Sequence, residues 1–542
     1  VSGTVLPQRQ FVSDPGGGME ETHQLHHAPE ADLREKGLSR NSLGVFGSVV
    51  LGISCVAPAY TLSATIGILV TQAGYKTAVV IIAGFLPMFF AAYAYRELNK
   101  VVPDCGTSFT WTSKAFGPYV GWLGGWAAIL ATAIVLSNLA GVAVEFFYQL
   151  LGDVFKSPHL GSLWENHAVN VATCLTFLAI ATWIAYRGIT TTEKVQFALV
   201  GFQLTMLLVF SVVAVVKATS GDTGFDWRQA MTASPDLPPT LENIARAWFS
   251  PAGLSLSAFI AGLSGSIFAF WGWDTCLTVN EESKGSAKTP GRAALLTVLS
   301  ILLTYLIVSI SAVMFAGVGD EGYGLGNEKI SHNVFGALAE PVLGNPWHTL
   351  LFLAVLASSV ASLITTFLPS SRTMLGMATY KALPARFGTI HPRYLTPSYA
   401  TVAAGVFAGV FYSAMMVLSQ NALTDTIYSL GIMICFYYGL TAFACIWFFR
   451  RELFTNVSSF VFKLLFPLLG GIGLFTVLFV TLHDSASPEY GSGASVFGVG
   501  LVLVLGLGLI VLGLVLMMAW RSVQPAFFRG ETLRHDTPVI VD

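Results

Sequence analysis

From residue 43 to residue 520, apolar stretches of twenty or more residues alternate with short polar or charged breaks. A helix of about 20 residues crosses the roughly 30 Å of bilayer hydrocarbon and satisfies its own backbone polar groups. Each stretch therefore predicts a membrane span. Twelve are expected, at about 43–72, 77–98, 119–150, 167–186, 191–217, 253–280, 292–317, 347–377, 397–418, 425–449, 459–482 and 496–520. The pattern is that of an all-α membrane protein.

Two of these spans are interrupted. Span 1 contains GISCVAPAY, where Pro58 has no N–H and its ring clashes with the preceding turn, so the helix should kink or open between Ser54 and Tyr60. Span 6 contains Gly262, Gly265 and Gly272 around FAFWGWDTC, Phe268 to Cys276. Spans 1 and 6 lead two five-span blocks, and breaks at matching positions of two halves indicate inverted repeats around a midplane site. The expected organisation is a tail over 1–42, a first repeat of spans 1–5 over 43–218, an outer loop over 219–252, a second repeat of spans 6–10 over 253–450, spans 11 and 12 over 451–520, and a tail over 521–542.

Composition agrees with a bilayer. Only 11% of the 542 residues are charged and 54% are apolar or aromatic, against about 25% charged in soluble proteins. Basic loops stay cytoplasmic. With the N-terminus inside, 22 of the 28 Lys and Arg fall on the inner side, which places both termini in the cytoplasm of a multi-pass plasma-membrane protein. The first forty residues hold no cleavable signal pattern, so span 1 itself is expected to direct insertion. A net charge of −2 without a basic soluble face gives no reason to expect a nucleic-acid partner.

Six cysteines form no Cys-x-x-Cys pair and read as small buried apolar residues, with no metal or cofactor expected. His23 to His27 is given no function. No Gly-x-x-x-x-Gly-Lys-Ser/Thr loop signals an ATP-driven pump, and no groups inside the spans gather as nucleophile and base.

Four segments in order resemble the amino acid, polyamine and organocation transporters. They are AYRELNKVVPDCGTSFTWTSKAFGPYVGWLGGW (Ala94 to Trp126), YRGITTTEKVQ (Tyr186 to Gln196), FAFWGWDTCLTVNEESKGSAKTPGRA (Phe268 to Ala294) and SSRTMLGMATYKALPARFGTIHPRYLTP (Ser370 to Pro397). The resemblance covers about residues 38–450 and implies the leucine-transporter-like fold, with solute held between spans 1, 3, 6 and 8. A bacterial inner membrane is the implied location.

Carried onto this chain, the resemblance makes Ala57 to Ala59 the unwound segment of span 1 whose amides hold a substrate carboxylate. The usual glycines are alanines here and Pro58 removes a donor, so Ser54, Cys55 and Val56 are expected to add contacts. Pro58, Thr65 and Gly67 are similar to a variant of span 1 in putrescine importers. Phe268, Ala269 and Phe270 correspond to the carbonyls that receive the substrate amine, and Trp271 and Trp273 either gate the solute or pack against neighbouring spans.

Asp274 is the residue that composition alone does not explain, because a carboxylate at midspan costs about 2.5–3.5 kcal/mol on the insertion scale. Three roles are open: binding a substrate ammonium, taking up a transported proton, or capping the broken helix. The resemblance implies gating and proton sensing. Glu281, with Glu282, is either part of an inner gate or a plain loop charge, and Glu145 belongs near the outer end of span 3. Some proton-coupled relatives hold a lysine of span 5 where others hold sodium; the alignment of ALVGFQLTMLL places Gln203 there, and Ser358 and Ser359 are the candidate sodium ligands.

The expected function is a permease importing or exchanging an amino acid by alternating access, with a proton preferred over sodium as the co-transported ion. A polyamine importer is the alternative, disfavoured because Asp274 is the one obvious acid at the site. A nutrient sensor would need more than tails of about 40 and 20 residues. The partners are the substrate and the lipid bilayer, with the chain a monomer or homodimer.

Overall fold

The computed structural model describes residues 36–39, 41–223, 231–232, 237–418 and 422–538, with the side chains of 189–194 and 422 left aside. Most of the expected N-terminal tail, including His23 to His27, lies outside the described residues, as do parts of the outer loop 219–252 and residues 539–542.

The described residues hold ten helical stretches long and apolar enough to cross a membrane. One of them, Val45–Val101, contains two spans separated by a turn at Gly74–Lys76. The sixth span is split into Leu256–Ala269 and Thr275–Thr278 and is too short in either part to be counted alone. Twelve spans result. The others run Pro118–Val154 (span 3), His167–Tyr186 (4), Ile189–Ser220 (5), Thr289–Ala316 (7), His348–Thr379 (8), Ser398–Leu418 (9), Ala422–Phe448 (10), Val457–Asp484 (11) and Leu501–Val523 (12).

Three features were not legible as spans. A nine-residue helix, Ser108–Phe116, precedes span 3, and a ten-residue helix, Val334–Leu343, lies in the loop between spans 7 and 8. A two-stranded hairpin joins Ser495–Val496 to Val499–Gly500. Each is shorter than a span and carries no twenty-residue apolar run.

Span 3 packs along span 8, and the second half of span 1, Pro58–Ala73, packs against the first part of span 6. The loop before Val334–Leu343 presses on span 1: a Cβ on Gly67 would fall 2.3 Å from the Ser331 backbone. Buried residues concentrate on spans 1, 3, 6, 8 and 10, whereas spans 4, 9 and 12 expose apolar side chains such as Trp183, Val406 and Val515. The lipid-facing ring thus encloses a core in which the two broken helices sit.

Candidate functional site

Span 1 breaks at one residue. Val45–Val56 ends on Ala57, which lies in the left-handed region at φ 54°, ψ 66°, and Pro58 opens the second half, Pro58–Ala73. A left-handed L-residue costs about 1–2 kcal/mol. Pro58 has no N–H to lose at the first helical position, which makes it tolerable there. The Ala57 N–H still reaches the Ile53 carbonyl at 3.0 Å, and the Tyr60 N–H donates to Ser358 Oγ at 3.3 Å. Upstream of the break, Ser362 Oγ donates to the Cys55 carbonyl (2.7 Å) and Thr61 Oγ1 to that of Val56 (2.6 Å). Ser54, Cys55, Val56, Ala57 and Ala59 are all buried.

Span 6 breaks over five residues, Phe270 to Asp274, with Gly272 at φ 107°. A Cβ on Gly272 would stand 3.1 Å from the Val56 nitrogen and 3.2 Å from the Cys55 carbonyl carbon. The two breaks therefore cross in backbone contact. Glycine is required twice there, by the positive φ and by the approach. The Phe268 carbonyl accepts from the Trp271 N–H (2.9 Å) and the Ala269 carbonyl from Tyr305 OH (2.6 Å). Trp271 Nε1 donates to Tyr437 OH at 2.6 Å, while Trp273 lies between Tyr95 and Tyr438 with ring centroids 5.1 Å away on each side.

Asp274 is buried beside this crossing, in electrostatic range of Cys55, Tyr95, Tyr437 and Tyr438. It holds the N-cap position of Thr275–Thr278, yet its side chain makes no capping bond. Its carboxylate faces Tyr438 OH and the Thr275 hydroxyl faces the Cys55 thiol, but Asp274 Oδ1, Thr275 Oγ1, Tyr438 OH and Tyr60 OH close no hydrogen bond of good geometry among the described residues. Unpartnered buried polar atoms are rare in folded proteins. Several of them gather at this one crossing.

The span 5 amide that reaches span 1 is Gln196. Its Oε1 accepts from Ser54 Oγ (2.6 Å) and its Nε2 donates to the Ala361 carbonyl of span 8 (3.2 Å). Gln203 lies seven residues further on, two turns or about 10.5 Å along the axis, buried with both amide atoms unpartnered. Gln203, the residue expected at this place, lies on the same helix face but makes no bond to span 1 among the described residues. Gln196 stood in the quoted YRGITTTEKVQ segment, and its polarity inside a span was the available signal. Ser358 sits beside the break, accepting from Tyr60, whereas Ser359 Oγ donates to the Val355 carbonyl of its own helix (3.0 Å).

A family model described as amino acid permease matches residues 43–521. The chain belongs to that family. Relatives include the branched-chain amino acid permease BcaP of Bacillus subtilis, 24% identical over 393 residues that cover 70% of this chain and 76% of that one. A polyamine transporter of Arabidopsis thaliana is 25% identical over 352 residues, 63% of this chain and 59% of its own. The crystal structure of MhsT in complex with L-phenylalanine superposes with a TM-score of 0.59 at 12% identity, covering 82% of this chain and 99% of MhsT. That likeness shows the fold, which is leucine-transporter-like. The permease is a multi-pass membrane transporter of this class and not an enzyme.

On the face where spans 2 and 6 end, the permease is closed by buried ion pairs. Lys36 Nζ lies 2.6 Å from Asp104 Oδ2 and 2.6 Å from Glu281 Oε1. Asp104 also accepts from Tyr380 OH (2.7 Å), Thr110 Oγ1 (2.7 Å) and the Gly106 N–H (2.8 Å). Burial works against both charges, yet each holds the other ionised: Asp104 stays below the usual carboxylate range and Lys36 well above the usual ammonium value. Beside them Arg372 makes a two-pronged pair with Glu282 (3.0 and 3.1 Å). The Ser42 N–H donates to the Glu282 carbonyl and the Lys284 N–H to that of Leu43, at 2.8 Å each. Residues 36–39 and 41–43 are thus strapped across this mouth. Glu281, expected either as a gate or as a loop charge, is held by this strap through Lys36. Asp104, Cys105 and Glu281 would form a metal-like cluster within 4.8 Å of one another, but the Lys36 ammonium fills it.

Proposed function

We propose that this permease imports or exchanges an amino acid across the plasma membrane by alternating access, driven by a proton gradient, with both termini in the cytoplasm. The observation that carries the reading is the crossing of two broken helices, with Gly272 against the Cys55–Val56 backbone. Half-helix N-termini favour an anionic group and half-helix C-termini a cation. The start of Pro58–Ala73 and the end of Leu256–Ala269 meet there, an arrangement suited to a zwitterion. The relatives named for amino acids support the same class. A polyamine has no carboxylate for the span 1 amides and finds one acid, Asp274, at the crossing.

Asp274 is the coupling residue in this reading. Gln196, a neutral amide, occupies the bridge between spans 1 and 8, so no cation of span 5 is available there to carry a proton. Trp271 and Trp273 close over the solute, with Ser54, Cys55, Val56, Ala57, Ala59, Phe268, Ala269 and Phe270 around it.

The test is uptake by purified protein in liposomes of labelled amino acids and putrescine, with proton and sodium gradients imposed separately. Amino acid uptake driven by an inward proton gradient is expected. Asp274→Asn should insert and fold but lose that pH dependence. Putrescine uptake alone, sodium dependence, or wild-type pH dependence in Asp274→Asn would each overturn the corresponding part. Binding without movement would point to a sensor.

A further inference from the structure

A groove of about 780 Å³ runs down the seam between spans 4 and 9 and shares no residue with the crossing or with the ion-paired mouth. Gly405 and Gly409 form its floor. A Cβ on Gly405 would stand 2.2 Å from Thr182 Oγ1, and one on Gly409 2.8 Å from Leu175 Cδ2, so the missing side chains are what let the two helices approach. Trp183, Val406 and Val410 wall the groove and are exposed. Its hydroxyls are spent, because Thr182 Oγ1 donates to the Leu178 carbonyl (2.6 Å) and Ser413 Oγ to that of Gly409 (2.8 Å). The seam therefore suits a hydrocarbon.

Length and charge select the occupant. From Leu175 to Tyr186 on span 4, and from Val402 to Ser413 on span 9, the groove follows about 16 Å of helix, half of the roughly 30 Å of bilayer hydrocarbon. That is one leaflet. The end at Tyr186 lies on the face where spans 2 and 6 also end, and there the surroundings turn aromatic and basic. The Arg187 guanidinium lies 4.0 Å from the centre of the Trp183 ring, and that of Arg393 5.6 Å from the centre of Tyr394, whose ring is 5.9 Å from Tyr186. Thr396 Oγ1 donates to the Tyr186 carbonyl (2.8 Å), and His391 Nδ1 accepts from the Arg393 and Tyr394 N–H groups (3.2 and 3.3 Å), which fixes the loop carrying Arg393 beside the end of span 4. Both guanidiniums are exposed, and among the described residues neither forms an ion pair. Trp and Tyr gather at headgroup level, and basic groups there attract anionic lipid.

A second copy of the chain is the other occupant such a face could take. Seated about a two-fold axis along the membrane normal, it would bring Arg187 and Arg393 to the same depth as their own copies, and no Asp or Glu lines the groove to meet them. A phosphate group does meet them, through two-pronged charge-assisted hydrogen bonds. Phosphate alone would use the guanidiniums and not the seam, so the anion and the hydrocarbon belong to one molecule.

We propose that the seam between spans 4 and 9 binds one anionic phospholipid, with an acyl chain lying in the groove and the phosphate held by Arg187 and Arg393. Span 4 belongs to the first five-span block and span 9 to the second, so the lipid touches both. Its binding does not depend on which solute is carried.

The test is native mass spectrometry of the purified full chain, delipidated in detergent, with palmitoyl-oleoyl phosphatidylglycerol or the matching phosphatidylcholine titrated in. Retention of one phosphatidylglycerol is expected, with phosphatidylcholine held about tenfold more weakly or worse. Each basic residue beside an anionic lipid is worth about fivefold, so Arg187→Gln with Arg393→Gln should weaken phosphatidylglycerol about 25-fold. Val406→Trp fills the groove from an exposed position and should remove the lipid. Arg521→Gln, exposed at the end of span 12 on the same face, should leave it unchanged. An unshifted melting temperature in detergent reports that each variant is folded. Equal retention of the two lipids, phosphatidylglycerol unmoved by the paired Arg substitutions or by Val406→Trp, or an equal loss in Arg521→Gln overturns the site. A dimer that holds no phosphatidylglycerol and dissociates in Val406→Trp also overturns it and makes a second copy the occupant.

Discussion

Replacing Lys36 with methionine keeps the length of the side chain and deletes the charge that joins Asp104 to Glu281. In the closed form two carboxylates would then face each other, with their nearest ligand oxygens within 4.8 Å. At an effective dielectric of 20 that repulsion is about 3.5 kcal/mol, inside the roughly 3–5 kcal/mol that breaking one side of a buried pair costs. The penalty applies only while this mouth is shut, because opening hydrates both acids. The closed-to-open equilibrium should therefore move by about 300-fold, at 1.4 kcal/mol per factor of ten. Cys105 reports it: its thiol is buried, and Lys36 Nζ lies 3.7 Å away. N-ethylmaleimide labelling followed by mass spectrometry should find Cys105 modified on the order of 300-fold faster in Lys36→Met. Lys36→Arg should remain near wild type. Cys174 and Cys445, buried elsewhere, should stay unlabelled and so report an intact fold. Wild-type labelling of Cys105 in Lys36→Met would refute the strap.

The same pair sets a pH window. The depressed Asp104 contributes fully above about 3.9 and loses its contribution as pH falls through its lowered value, while the raised Lys36 contributes fully below about 10.4 and loses its contribution as pH rises through its raised value. Once divided by the thiolate fraction of a free-thiol control run at the same pH, Cys105 labelling should therefore show no further change from about pH 5 to 9. Ala57→Gly removes a left-handed cost of about 1–2 kcal/mol and should keep uptake, whereas Ala57→Val, β-branched at φ 54°, should lose it in the liposome assay. Arg372→Met strands the buried Glu282 and should cost about 3–5 kcal/mol, seen as a lower melting temperature that Arg372→Met with Glu282→Leu largely restores.

Reading the chain alone gave the spans within a few residues, because a bilayer demands a continuous apolar helix and punishes any other local choice. The breaks were legible for equally local reasons: Pro58 lacks an N–H, and Gly272 stands in an aromatic run where nothing else supplies a positive φ. The turn of span 5 that faces span 1 was not legible. Gln196 and Gln203 differ by two turns on the same face, and only the depth at which span 5 meets Ser54 and Ala361 separates them.

Asp274 shows the same division. Its presence in an apolar segment was evident from order along the chain, but the three open roles could be narrowed only once its side chain was seen to make no capping bond. Lys36 is the extreme case, since it meets Asp104 across 68 residues and Glu281 across 245. What the sequence determined by itself is whatever one helix and its solvent settle: which segments enter the membrane, where they must open, and which charge is out of place. Which polar groups end up paired, left over or strapped across a mouth was decided by tertiary structure, because hydrogen bonds and ion pairs act over about 3 Å between residues whose separation in sequence carries no information about their separation in space.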